Sequence, residues 1–282
     1  MAATPADDPT GYDPDFLGPR VPLPAAGRPL RDLPSTHFTV LLDPVRRLAA
    51  ATAVNVDGTA LRDVPRDDDW FLDPRVPATE QCGPELYARN DLDRGHLVRR
   101  RDPVWGAPGV AARANRETFA YPNAAPQAAG FNQGAELWLG LEDHVLGHAA
   151  AQRLRLTVLT GPVLADDDPV YRGIALPRRY WKVVAWSLDA GDRLAATAFV
   201  LDQSPLLDDG ALGAATAAAQ AAGDPPPLGP FRTSQVPVGD VADLTGLDLG
   251  PLPAADVLAR TGPQADAPAW RPLRSAADVV LR

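Results

Sequence analysis

Apolar residues recur along this chain mostly in short, strand-like runs separated by Pro, Gly and Asp, a pattern that predicts a sheet. Phe38-Thr39-Val40-Leu41-Leu42 reads as a strand, Asp43-Pro44 as a turn, and Arg47 to Val56 as a second strand that closes a hairpin. Asn55-Val56-Asp57-Gly58 ends it with turn chemistry. Leu154 to Val163, Tyr180 to Leu188 and Leu194 to Leu201 are rich in branched and aromatic residues and read as further strands. Asp166-Asp167-Asp168-Pro169 is the loop after the first of these. Helical spacing is rarer. Gly134, Trp138, Leu141, Val145 and Ala149 recur at three- and four-residue intervals, predicting a helix from Phe131 to about Arg153. Ala211 to Ala222 is Ala-rich and stops at Gly223-Asp224-Pro225, and Asp240 to Gly246 resembles a short capped helix.

Residues 1–35 carry much Pro, Gly and Asp and read as an extended arm, and residues 59–86 as a polar excursion over the surface. No internal repeat or clear linker divides the rest, so a single domain is expected over 36–255, followed by a C-terminal extension, 256–282. At 282 residues and 45% hydrophobic the chain has material for a real core. No apolar run is long enough to span a bilayer, and the N-terminus lacks the basic and apolar regions of a secretory signal. The expectation is no membrane partner, with work in the cytoplasm or export by a signal-independent route. Cys82 is the single cysteine, which excludes an intrachain disulfide and a cysteine-cluster zinc site.

A formal charge of −9 argues against a nucleic-acid partner until its distribution is considered. Arg89, Arg94, Arg99, Arg100, Arg101, Arg113 and Arg116 fall between Tyr87 and Arg116, opposed only by Asp91, Asp93 and Asp102. That local excess suits a phosphate-binding surface, which positions a strand without reading its sequence.

The same stretch holds Asp93-Arg94-Gly95-His96, followed by Asn123-x-x-Pro126-Gln127 and Phe131-Asn132-Gln133-Gly134. Physically this is a histidine set after a glycine turn, with an amide side chain on the next helical segment. Hydrolysing a phosphodiester needs an activated water, neutralised charge on phosphorus and help for the leaving oxygen. A histidine can take the water's proton, and His96 is the candidate. Mg²⁺ keeps several of its waters, so one protein oxygen plus substrate phosphate can hold it. Asn132 offers such an oxygen, and it also suits an N-cap on the Trp138-bearing helix. His144 and His148 lie four apart without an HExxH word, and no G-x-S-x-G word is present.

Taken together, these words resemble the DNA/RNA non-specific endonucleases, the ββα-metal (His-Me finger) family that includes endonuclease G. The likeness extends over roughly residues 11–255. It takes in Arg46-Arg47 with Ala53 to Gly58, Leu159-Thr160-Gly161-Pro162-Val163, Tyr180 to Val184, and Gln235-Val236-Pro237-Val238 with Leu244 to Asp248. The resemblance implies an α+β fold, the ββα-metal nuclease fold, with a mostly antiparallel central sheet flanked by helices. It implies Mg²⁺-dependent, sugar-non-specific hydrolysis of DNA and RNA, with Mn²⁺ as a substitute ion. His96 is then the general base, Asn132 the metal ligand, and Glu142 the carboxylate that holds the metal's waters. Arg94 binds the phosphate or steadies the transition state, with Asp93 and Asn123 supporting the site. An inhibitor protein and a homodimer are further expected partners.

The spacing departs from the family in one place. Asn132 to Glu142 spans ten residues, commonly two fewer in the family, and Glu136 lies one turn from Asn132. On a regular helix Glu142 would lie about 80° to one side of Asn132 and Glu136 about 40° to the other. The local run Trp138-Leu139-Gly140-Leu141-Glu142 keeps the family spacing from tryptophan to glutamate and favours Glu142. The rival reading of the whole chain is a catalytically silent nucleic-acid-binding or protein-interaction module on the same fold.

Overall fold

The structure is a computed structural model that describes residues 11–128, 154–188, 191–204, 207, 232–258, 270–273 and 278–280. In chain order its strands are β1 (Ala25–Ala26), β2 (Arg31–Ser35), β3 (Phe38–Asp43), β4 (Leu48–Asp57), β5 (Leu92–His96) and β6 (Ala124–Ala128). There follow β7 (Arg155–Val163), β8 (Val170–Tyr171), β9 (Ile174–Ala175), β10 (Arg179–Leu188), β11 (Arg193–Asp202), β12 (Arg232–Val236), β13 (Leu247–Asp248) and β14 (Arg271–Pro272). The described helices are α1 (Pro84–Tyr87), α2 (Pro108–Glu117) and α3 (Val238–Thr245).

A single eight-stranded sheet organises the described residues, in the order β14-β12-β11-β10-β7-β4-β3-β2 with every pairing antiparallel. Its central strands are buried on both faces because their two sets of alternating side chains feed two cores. Phe38, Val54, Val158, Tyr180 and Phe199 enter one core, and Leu41, Ala53, Leu159, Trp181 and Val200 the other. The first core also takes Leu97, Val98, Ala125 and Ala128, so it lies under β5 and β6. The second is covered by Tyr12, Leu17 and Val21 from the N-terminal arm and by Val238 and Val241 of α3.

The β3–β4 hairpin forms where the apolar alternation predicts it, with a register shift between Leu41 and Leu42. Its turn is held by Asp43, whose Oδ1 accepts the amides of Val45 at 2.9 Å and Arg46 at 3.0 Å. Gly161 answers a close approach: a Cβ there would meet the Ala50 carbonyl at 2.6 Å and Trp181 at 2.9 Å. The capped segment begins two residues earlier than the pattern suggests. Asp256 Oδ2 accepts the Val238 amide at 2.8 Å, and Gly246 ends α3 with a φ of 65°. The segments expected as arm and extension both join the main sheet, through β2 beside β3 and β14 beside β12. Pro34 is accommodated in β2 because that strand is an edge. The predicted helices at Phe131 to Arg153 and Ala211 to Ala222 lie outside the described residues.

Candidate active site

Two of the three sequence words are neighbouring strands. β5 carries Asp93-Arg94-Gly95-His96 and pairs antiparallel with β6, placing Asp93 opposite Gln127, Gly95 opposite Ala125 and His96 opposite Ala124. Gly95 does not make the expected glycine turn. It is a strand residue outside the left-handed region, and what it provides is room. A Cβ on it would lie 2.1 Å from Cδ and Oε1 of Gln127, the glutamine of the second word.

Asn123, which opens that second word, is fully buried and ties the chain leaving His96 in place. Its Oδ1 accepts the Val98 amide at 2.8 Å, and its Nδ2 donates to the carbonyls of Val98 at 3.0 Å and Thr118 at 2.9 Å. Its own carbonyl accepts the Leu97 amide at 3.0 Å. The two residues after His96 are thus fixed to the loop between α2 and β6.

The polar excursion supplies the floor of the site. Phe71 donates its amide to Phe119 O at 3.2 Å and accepts the Tyr121 amide at 2.9 Å, which brings Trp70 against β5. The Trp70 ring lies 4.8 Å from His96, tilted by 50°, and Phe119 meets the imidazole edge-on at 5.0 Å. Arg94, two residues before His96 and therefore on the same face of β5, sets its guanidinium carbon 5.3 Å from the Trp70 ring centre. Arg66 lies 5.8 Å from the Phe119 ring centre and is paired with Asp68 at 2.7 Å.

This packing decides the state of His96. Nε2 is closed off from solvent and has no hydrogen-bond partner among the described residues. Burial holds the imidazole down to a pKa of about 3, with Arg66, Arg100 and Arg94 adding repulsion against Asp68. A neutral imidazole keeps one ring nitrogen as an acceptor, the requirement for taking a proton from water.

Among the described residues no group of three or more His, Cys, Asp or Glu is arranged to hold a metal ion. Asn132 and Glu142, the expected metal residues, and the alternative Glu136 lie outside the described residues, as do His144 and His148.

A family model for DNA/RNA non-specific endonucleases matches residues 23–256. The chain belongs to that family. The fold agrees: a chain of the EndoG/EndoGI complex, solved to explain EndoG inhibition, superposes with a TM-score of 0.55 at 20% identity, over 78% of this chain and 84% of that one. A Sinorhizobium fredii protein recorded as the uncharacterized protein y4fB is 38% identical over 301 residues, covering 95% of this chain and 42% of the relative. This member of the family therefore spans less than half the length of that relative. The mostly antiparallel α+β architecture expected from the sequence is the one observed.

Within this endonuclease fold the arginine run divides. Arg94, Arg101 and Arg116 are exposed, whereas Arg99 is buried. Arg100 donates from Nη1 to Val64 O and to Asn115 Oδ1, both at 2.9 Å, and Arg113 donates to Thr36 Oγ1 at 2.9 Å. Three of the arginines expected on a phosphate-binding surface are thus built into the fold, because α2 and the excursion meet the segment that carries Arg99 and Arg100, and α2 itself carries Arg113 to Thr36. Asp93 is half-buried in β5.

Sequence reasoning passed over Trp70, Phe119, Tyr121 and Arg66, and it assigned no helix at α2. The signal for α2 was present, since Pro108 stands at its start and Ala111, Ala114 and Asn115 form a buried stripe. Trp70 and Phe71 are an aromatic pair directly after Asp67-Asp68-Asp69, but no local spacing links them to His96.

Proposed function

We propose that this chain is a Mg²⁺-dependent endonuclease that hydrolyses phosphodiester bonds in both DNA and RNA, with His96 as the general base. The observation that carries this reading is the buried Nε2 of His96, held uncharged and without a partner among the described residues, beside exposed Arg94. A histidine serving only the fold would be expected to have its ring nitrogens satisfied.

Arg94 binds the scissile phosphate, and its stacking on Trp70 keeps the guanidinium on the His96 side of β5. Asn123 steadies the strand end behind His96, and Asp93 supports the same strand from the Gln127 side. One amide oxygen, the ion's own waters and the substrate phosphate suffice to hold Mg²⁺, and Asn132 in Phe131-Asn132-Gln133-Gly134 offers such an oxygen. Asn132 would hold the ion and Glu142 its waters, and Mn²⁺ could stand in for Mg²⁺. When bound, the ion neutralises charge developing at the phosphate. With a pKa of about 3, His96 is unprotonated at neutral pH but a weak base; substrate phosphate near Arg94 offsets the arginine repulsion and strengthens it.

Plasmid nicking and degradation of a structureless RNA, each with Mg²⁺ and with EDTA, test the reading. Metal-dependent loss of both substrates is expected, and it also separates this reading from a silent binding module. Intact substrates in the presence of Mg²⁺ would refute it.

A further inference from the structure

Next to His96, but not lined by it, is a cleft of about 600 Å³. It shares Trp70 and Arg94 with the surroundings of the histidine and continues past Tyr121 to Tyr87, Ala88 and Asn90. Its aromatic side chains form a connected series: Trp70 to Tyr121 is 5.8 Å between ring centres, and Tyr121 to Tyr87 is 6.1 Å with the rings stacked 25° apart. Tyr121 is buried, while Trp70 and Tyr87 are partly open. The Tyr87 hydroxyl has no hydrogen-bond partner among the described residues, and burial keeps it un-ionised by raising its pKa well above the ordinary value.

We propose that this cleft is a subsite for one unpaired nucleotide flanking the scissile phosphate, which stays on Arg94 while the base lies against the partly open rings of Trp70 and Tyr87, with buried Tyr121 backing them. The inference rests on the nuclease reading given above and adds a substrate class to it. Size argues for a single nucleotide, because a recess of this volume takes a small ligand and not a duplex. Chemistry argues for an unpaired one. Aromatic rings joined to guanidinium groups are the combination that holds splayed bases and their backbone, whereas a stacked duplex keeps its base faces covered. Position argues for a flanking nucleotide, since Arg94 belongs both to the cleft and to the His96 site.

Binding decides the matter without reading cleavage. A fluorescein-labelled single strand, the corresponding duplex and a single strand of abasic residues are titrated onto the full chain in EDTA, followed by fluorescence anisotropy. Stacking of one base is worth roughly a ten-fold change in affinity, so the abasic strand is expected to bind about ten-fold more weakly than the parent strand. Ala88→Trp fills the cleft from an exposed position without removing a core side chain. It should weaken the normal single strand by about the same ten-fold factor and leave the duplex within about two-fold. Equal affinity for abasic and normal strands would overturn the proposal, as would an Ala88→Trp loss that is equal on single strand and duplex or absent from both. Neither result depends on whether Mg²⁺ later produces cleavage, so a failed nicking assay and a failed subsite remain distinct outcomes.

Discussion

Gly95 and Gln127 share one volume: a Cβ on the glycine would fall 2.1 Å from the glutamine side chain, across the β5–β6 pairing that joins the two motif words. Gly95→Ala therefore forces the Gln127 side chain aside in a packed setting, which is expected to cost roughly 1–3 kcal/mol. The strain should fall on the strand that carries His96, lowering cleavage as well as stability. Gly95→Ala combined with Gln127→Ala removes the clash and should recover most of the stability. Urea midpoints for the two single variants and the double variant measure this, and strictly additive losses would count against the shared volume.

How far such a relationship is legible in the sequence depends on the range over which it acts. The main strands were visible because alternation is local, and Phe38-Thr39-Val40-Leu41-Leu42 announces its own strand. The order of the two words was visible too, but not that they pair, since strand pairing is set by the chain between them. The role of Gly95 is hidden for the same reason: its neighbour is Gln127, far along the chain. Trp70 was invisible as a site residue because backbone bonds from Phe71 to Phe119 and Tyr121 deliver it to His96. The arginine run reads as surface because composition does not distinguish Arg101, which is exposed, from Arg100, which bonds Val64 and Asn115.

Asn123→Ala should be among the more damaging single substitutions outside the hydrophobic cores. It leaves the Val98 amide and the Val98 and Thr118 carbonyls without their side-chain partners in a fully buried setting. The expected cost is roughly 2–4 kcal/mol, read as a lower urea midpoint at unchanged slope. Cleavage should drop in the same variant even under conditions where it remains folded, because the released Val98 lies two residues from His96. A variant as stable as the parent would show that these bonds contribute little.

The pH response follows from the direction of the His96 shift. Its folded-state pKa, about 3, lies below the ordinary 6.5. Between those values the unfolded chain binds a proton that the folded chain refuses, so stability falls as pH drops from about 6.5 towards 3. The slope approaches about 1.4 kcal/mol per pH unit. His37, also lowered by burial, adds in the same sense, so the comparison is made with His96→Gln. The stability difference between parent and His96→Gln should shift against the parent as pH falls, and a difference that stays flat would place the folded His96 pKa near its ordinary value. In kinetics, kcat/KM should show no acid limb from His96 between pH 7 and 5, because that ratio reports the free enzyme. The limb in kcat should lie at higher pH, since bound phosphate offsets the repulsion of Arg66, Arg94 and Arg100.

The arginines themselves can be sorted by salt. If about three exposed guanidinium groups meet backbone phosphates of a duplex, the log–log dependence of affinity on salt should have a slope of roughly −2.7. Arg101 and Arg116 are exposed, so Arg101→Ala and Arg116→Ala should each flatten that slope by about 0.9 with little change in stability. Arg100→Ala should behave in the opposite way. Its guanidinium donates to Val64 O and Asn115 Oδ1, so its loss should lower the urea midpoint and leave the slope nearly unchanged. Anisotropy titrations from 50 to 200 mM salt on chain held in EDTA separate the two classes. A slope that responds to Arg100→Ala as strongly as to Arg101→Ala would mean that the hydrogen-bonded Arg100 reaches the nucleic acid after all. The segment from Arg62 to Trp70 that packs over it would then have to move on binding.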